Sequence, residues 1–162
     1  KFNDNILYSY NTTINKKMLS FIDAQTQQLL SRSIIREKDV VFTIAGTLGK
    51  FAWIDSSILP ANTNQAIAII RVDETKISPY YLMGIFMGGL HVDYCKRNVQ
   101  QAVQANLSLG VLSAMPIMLA GEKETKEFTE SSKVILEKIT LKQKENQTLT
   151  QMQTLLLSQM VV

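Results

Sequence analysis

The chain is poor in the residues that staple or arm small proteins. Its 162 residues include one cysteine, Cys95, one histidine, His91, and three prolines. A lone cysteine excludes an intrachain disulfide and fits a reducing cytoplasm. One Cys and one His are too few for a zinc site, so no metal is expected. His91 and Cys95 stand four apart and would share one face of a helix, but an isolated cysteine is usually a small buried hydrophobe. The carboxylates Asp23, Glu37, Asp39, Asp55, Asp73, Glu74 and Asp93 are scattered, without the spacing of acid–base or metal work. No Ser/His/Asp set can be assembled, and the expectation is a protein that is not an enzyme. The longest apolar run, Tyr80 to Leu90, is too short to span a bilayer, and no membrane partner is expected. The start, Lys1-Phe2-Asn3-Asp4, lacks the apolar core of a signal peptide.

What is present suits one globular domain with a helical extension. The hydrophobic share is 46%, enough for a packed core. Charge is unevenly placed. Residues 1–120 carry eleven Lys/Arg against eight Asp/Glu, and residues 121–162 carry six Lys and six Glu. The basic excess sits on the globular part and suits a polyanionic partner.

Local patterning divides the head into short elements. Residues 6–10 suit a strand, and Met18 to Ile35 is ambiguous between helix and short strands. Val40 to Ile44 reads as a buried strand. The turn Ala45-Gly46-Thr47-Leu48-Gly49-Lys50 joins it to Phe51–Ile54 in a hairpin. Ala66 to Val72 is a third strand. Ser78 as N-cap and Pro79 at the first helical position start a helix to Met87. Gly88-Gly89 ends it, and His91 to Gln101 is the next helix. Gln104 to Ser108 reads as a loop, Leu109 to Ala114 as a helical turn, and Met115 to Leu119 as a short strand. The resulting fold class is α+β: a small mixed or antiparallel β-rich domain over residues 1–120, then one long coiled-coil-type helix over 121–162.

Glu122 to Met160 contains no Pro and no Gly. As one helix it would run about 58 Å. Phe128, Ile135, Leu149 and Leu156 fall on one seven-residue series, and Ser132, Ile139, Gln153 and Met160 on a second, four residues further on. Together they predict a coiled-coil seam, interrupted at Lys142 and Asn146. An amphipathic helix lying on its own domain is the plainer alternative. A projecting helix that pairs with another, most simply in a homodimer, is the reading adopted.

The remaining signals are amides and bases. Asn62, Asn64 and Gln65 form one cluster, and Gln100, Gln101, Gln104 and Asn106 a second. Lys50, Arg71, Lys96 and Arg97 flank them. Side-chain amides can pair with the adenine edge in the major groove, although single amides more often cap turns. Gly46-x-x-Gly49-Lys50 is too short for a mononucleotide loop and lacks the following Ser/Thr.

In order, these segments resemble the specificity subunit of type I restriction–modification systems: one target-recognition domain followed by its spacer helix. Lys38-Asp39-Val40 through Gly46-Thr47-Leu48-Gly49 is similar to the family's "G-D-hydrophobic…G-T-hydrophobic-G" hairpin, with Lys38 where the family usually has Gly. Asn64-Gln65-Ala66 with Ile69-Ile70-Arg71 resembles its next strand, and Ser78-Pro79-Tyr80-Tyr81-Leu82 its helix start. Gln104-Ala105-Asn106-Leu107-Ser108 resembles its "Q-x-N-L-S" loop, and Met115-Pro116-Ile117 the run into the spacer helix. Ala120 and Gly121 replace the usual prolines. The resemblance covers roughly residues 34–160. It implies recognition of one half of a split double-stranded DNA target, and no catalysis or cofactor in this chain. It also implies partners: a methyltransferase subunit and a restriction subunit, which would use S-adenosylmethionine, ATP and Mg. One recognition domain instead of two suggests a half subunit or a fragment. Two rivals are a coiled-coil module with a protein-binding head, and the recognition segment of a fused restriction–methylation enzyme.

Overall fold

The computed structural model describes residues 20–101 and 105–160. The strand expected at 6–10 lies outside them. The ambiguous stretch resolves into a short helix, α1 (Ala24–Leu29), capped by the Asp23 carboxylate on the Thr26 N–H, and a 3-10 turn, Ser31–Ser33. Three strands form an antiparallel sheet in the order β2-β1-β3: β1 (Val40–Thr43), β2 (Phe51–Trp53) and β3 (Ile67–Ile70). Val40 lies opposite Trp53 on one side and Ile70 on the other.

Alternation along these strands sorts their side chains into two cores. Val40, Phe42, Phe51 and Ala68 enter the larger one, beneath the helices. Val41, Ala52 and Ile54 face the other way and pack with Ile35 and residues 58–61. A sheet covered on both faces explains why β1 reads as a continuous apolar run rather than an alternating one.

The hairpin glycines adopt positive φ, +73° at Gly46 and +79° at Gly49. Thr43 closes the turn: its hydroxyl accepts from the Lys50 N–H at 2.9 Å and its carbonyl from the Gly49 N–H at 3.1 Å. Lys38 also lies at positive φ, +67°, a conformation that favours glycine. This accounts physically for the glycine expected there. The chain turns sharply at Lys38 so that Asp39 can point inward.

Helix α2 (Pro79–Met87) begins as the sequence predicts, with the Ser78 hydroxyl accepting from the Tyr80 N–H and Pro79 in the first turn. Helix α3 (His91–Asn98) is shorter than expected. The Asn98 side chain turns back onto the Tyr94 carbonyl at 2.9 Å, and Val99 is extended. The chain then forms a two-stranded ribbon, β4 (Gln100–Gln101) with β5 (Ala105–Asn106), where a helix end and a loop were expected. Helix α4 (Leu109–Ser113) follows, capped by Ser108. Met115 to Leu119 is not a strand. It runs without a sheet partner, tied down by the Tyr81 hydroxyl donating to the Met118 carbonyl at 2.9 Å.

Helix α5 (Glu122–Met160) has the expected bounds. Its first half lies across α2, and its buried residues are Ser132 and Leu136. Leu136 is 2% exposed and belongs to the main core. The Phe128 ring meets Tyr81 edge-on at 5.0 Å. Gly84 makes the crossing possible: a Cβ there would fall 2.8 Å from the Phe128 ring and would overlap the Ser132 hydroxyl. The second half, from Lys144 onward, is exposed on all sides. The plainer alternative therefore describes the first half of α5, and the projecting helix describes the second.

Candidate nucleic-acid interface

Three segments converge at one rim of the sheet. Ile44 continues β1 past its end: its N–H donates to the Ala66 carbonyl at 2.8 Å, and its carbonyl accepts from the Leu107 N–H at 2.9 Å. Ala45 bridges to Asn106. The glycine turn, the 62–66 loop and the β4–β5 ribbon are thus stitched side by side by backbone hydrogen bonds. Asn64, Gln65 and Asn106 are exposed on this rim and Lys50 is half-buried. Lys96 and Arg97, both exposed, occupy the last turn of α3, which leads directly into β4.

Not every candidate sits there with its polar group available. The Asn62 amide nitrogen donates to the Leu30 carbonyl and the Ser33 hydroxyl, so it holds the N-terminal segment on the domain. The Asn64 side-chain Oδ1 accepts from the Ala66 N–H at 3.0 Å. Gln100 and Gln101 are placed by their backbones only, and Gln104 lies outside the described residues. Arg71 is at the opposite end of the sheet. It forks onto the buried Asp39 carboxylate with Nε–Oδ1 2.7 Å and Nη2–Oδ2 2.6 Å, a partner that raises its pKa. Asp39 also accepts from the Arg36 N–H at 2.6 Å. Arg71 is therefore a structural ion pair and not part of the rim.

The turn is underpinned by His91. Its ring lies edge-on to Phe42, Phe51 and Phe86, with centroids 5.0–5.8 Å away. The Gly49 backbone faces it, but neither ring nitrogen closes a hydrogen bond. Burial lowers its pKa. Above about pH 6.5 the imidazole is neutral in both folded and unfolded chains. Below that, the unfolded chain takes up a proton that the folded one refuses, so stability falls as pH drops toward the depressed folded value. Urea unfolding at pH 7.5, 6.5 and 5.5 is expected to show a loss of up to about 1.4 kcal/mol per pH unit over this window. His91→Phe is expected to remove that slope. A slope unchanged in the variant would assign it to other groups. Cys95, one turn on, is buried, and its thiol is pushed up to about 11. It is a core residue.

The fold and the rim match the order of segments that carried the resemblance. A family model for the type I restriction modification DNA specificity domain matches residues 1–151. The chain belongs to that family. No curated protein matches it. Membership gives the domain a DNA-recognition role in type I restriction–modification. Among the described residues, no helix is long and apolar enough to cross a membrane.

Sequence reasoning missed one feature of this specificity domain. At the end of the sheet away from the rim, Trp53 stacks on Tyr80 at 5.1 Å, with Lys133 over the Tyr80 ring. Trp53 and Tyr80 border a cleft completed by Leu136, Thr140 and Leu141 of α5. The aromatic pair depends on strand register and on the α5 crossing, neither of which leaves a local signal.

Proposed function

We propose that this specificity domain reads one half of a split duplex-DNA target through the rim formed by residues 44–50, 64–66, 100–101 and 105–106. Lys96, Arg97 and Lys50 would hold the phosphates, and Asn106, Gln65 and neighbouring amides would read base edges. The observation that carries this reading is the stitching of three amide- and base-bearing segments into one edge. The chain itself would be non-catalytic and cytoplasmic. It would deliver a methyltransferase subunit and a restriction subunit to the site, and those subunits would bring S-adenosylmethionine, ATP and Mg. Two copies pairing through α5 would supply the second half-site reader, since one head cannot read both halves.

The test is fluorescence anisotropy on duplexes selected from a random-site pool, with and without a methyltransferase subunit. Binding is expected to weaken steeply with salt, because phosphate contacts release counterions. Asn106→Ala is expected to cost about 1–3 kcal/mol on the selected site and little on random duplex. Lys96→Ala and Arg97→Ala are expected to weaken both about equally. Absence of salt-dependent binding in either condition defeats the reading.

A further inference from the structure

The imidazole beneath the glycine turn is under-used by the packing around it. His91 is 2% exposed, and neither Nδ1 nor Nε2 has a hydrogen-bond partner. Phe42, Phe51 and Phe86 meet the ring with their own rings and offer it no acceptor. A buried ring N–H left without an acceptor is costly, whereas an apolar ring of nearly the same shape would fill this cage without that cost. Packing alone therefore does not call for an imidazole here.

One acceptor is at hand. The turn has an exposed tip, Gly46-Thr47, and a buried base, Leu48-Gly49. The tip is open on its outer side: a Cβ on Gly46 would meet no atom within 4 Å. At the base, the Gly49 N–H is taken by the Thr43 carbonyl at 3.1 Å. The Gly49 carbonyl is the group left to meet a ring N–H, and the nearby Gly49 backbone already favours a proton on the imidazole, as an acceptor does. His91 also opens α3, whose last turn carries Lys96 and Arg97. The same ring thus stands between the turn that bears Lys50 and the helix that bears the other two cations of the rim.

We infer that His91 is a positioning residue for DNA binding: when the rim meets the duplex, its ring N–H closes on the Gly49 carbonyl and ties the glycine turn to α3. Lys50 is then held at a fixed distance from Lys96 and Arg97, and the three cations meet neighbouring phosphates in one geometry. The duplex selects the closed turn over the open one, so the hydrogen bond formed beneath it contributes to binding and not to the fold of the free chain. His91 itself, buried under the turn, touches no DNA.

This inference rests on the rim reading proposed above, and the experiment separates the two. His91→Phe keeps an aromatic ring in the cage and removes the N–H. The full chain and the variant are compared at neutral pH by urea unfolding and by anisotropy on the selected duplex. Stability is expected to hold or rise, because no buried polar atom is left unmade, while affinity falls about ten-fold. Lys50→Ala is expected to weaken wild-type binding about five-fold and to cost about two-fold or less in the His91→Phe chain, whose turn is no longer held. Affinity that falls only in step with stability, or Lys50 and His91 effects that are independent, overturn the inference. A second readout needs no variant. His91 is the only histidine, so the imidazole resonances of the labelled wild-type chain belong to it alone, and the ring N–H proton is expected to move downfield on saturation with duplex. Ring signals unchanged at saturation overturn the inference and leave the rim reading intact. Absence of salt-dependent binding overturns both.

Discussion

Gly84→Ala is expected to destabilise the protein by about 2 kcal/mol, even though alanine is the better helix former by about 1 kcal/mol. At an open helical position the substitution stabilises. Here the added methyl would overlap the Ser132 hydroxyl and press on the Phe128 ring at 2.8–2.9 Å. Both belong to α5, so the helix must lift off α2, and Leu136 loses its cover. Ser132→Ala in the same chain removes one of the two obstructions. The double variant is expected to recover part of the loss, a coupling that a double-mutant cycle in urea measures directly. Additive effects would show that α5 does not seat through Gly84.

Arg71→Ala is expected to cost about 3 kcal/mol and to leave non-specific DNA binding unchanged. Asp39 is 2% exposed and its carboxylate is neutralised by the Arg71 fork. Removing the arginine leaves a buried charge with one backbone N–H for company, the expensive half of a broken ion pair. Arg71→Lys restores charge but not the two parallel bonds, and is expected to recover only part. Urea denaturation gives the stability and anisotropy at low salt gives the binding. A stable variant with weakened DNA binding would move Arg71 to the interface and overturn its structural role.

How much of this was legible depends on where the signal sits. The start of α2, the glycine turn and the full extent of α5 are set by local chemistry: a Ser–Pro cap, glycines at positive φ, and a stretch with no helix breaker. Sequence carries those directly. The early end of α3 turns on Asn98 bonding back to Tyr94, and β4 exists only because Asn106 and Ala105 come to meet it. The strand expected at Met115–Leu119 has suitable residues and no partner. Arg71 was grouped with the bases flanking the amide clusters, and its ion pair could not be read because the partner stands thirty-two positions earlier. For the rim, the two amide clusters were visible, but their convergence depends on Ile44 bonding to both Ala66 and Leu107. The seam shows the same limit: heptad counting assigned Phe128 and Ser132 to it and could not see that both pack beside Gly84 of α2.

Because Leu136 completes the main core, the unit that folds is longer than the head. A fragment ending near residue 120 would bare the face of α2 that Ser132 and Leu136 cover, and would expose Tyr81 and Gly84 to water. The smallest piece that can hold the rim in shape extends to about the last half-buried residue of α5, Gln143. Transplanting this recognition head onto another scaffold therefore means carrying roughly half of its long helix with it, and the graft junction belongs in the exposed polar run that follows.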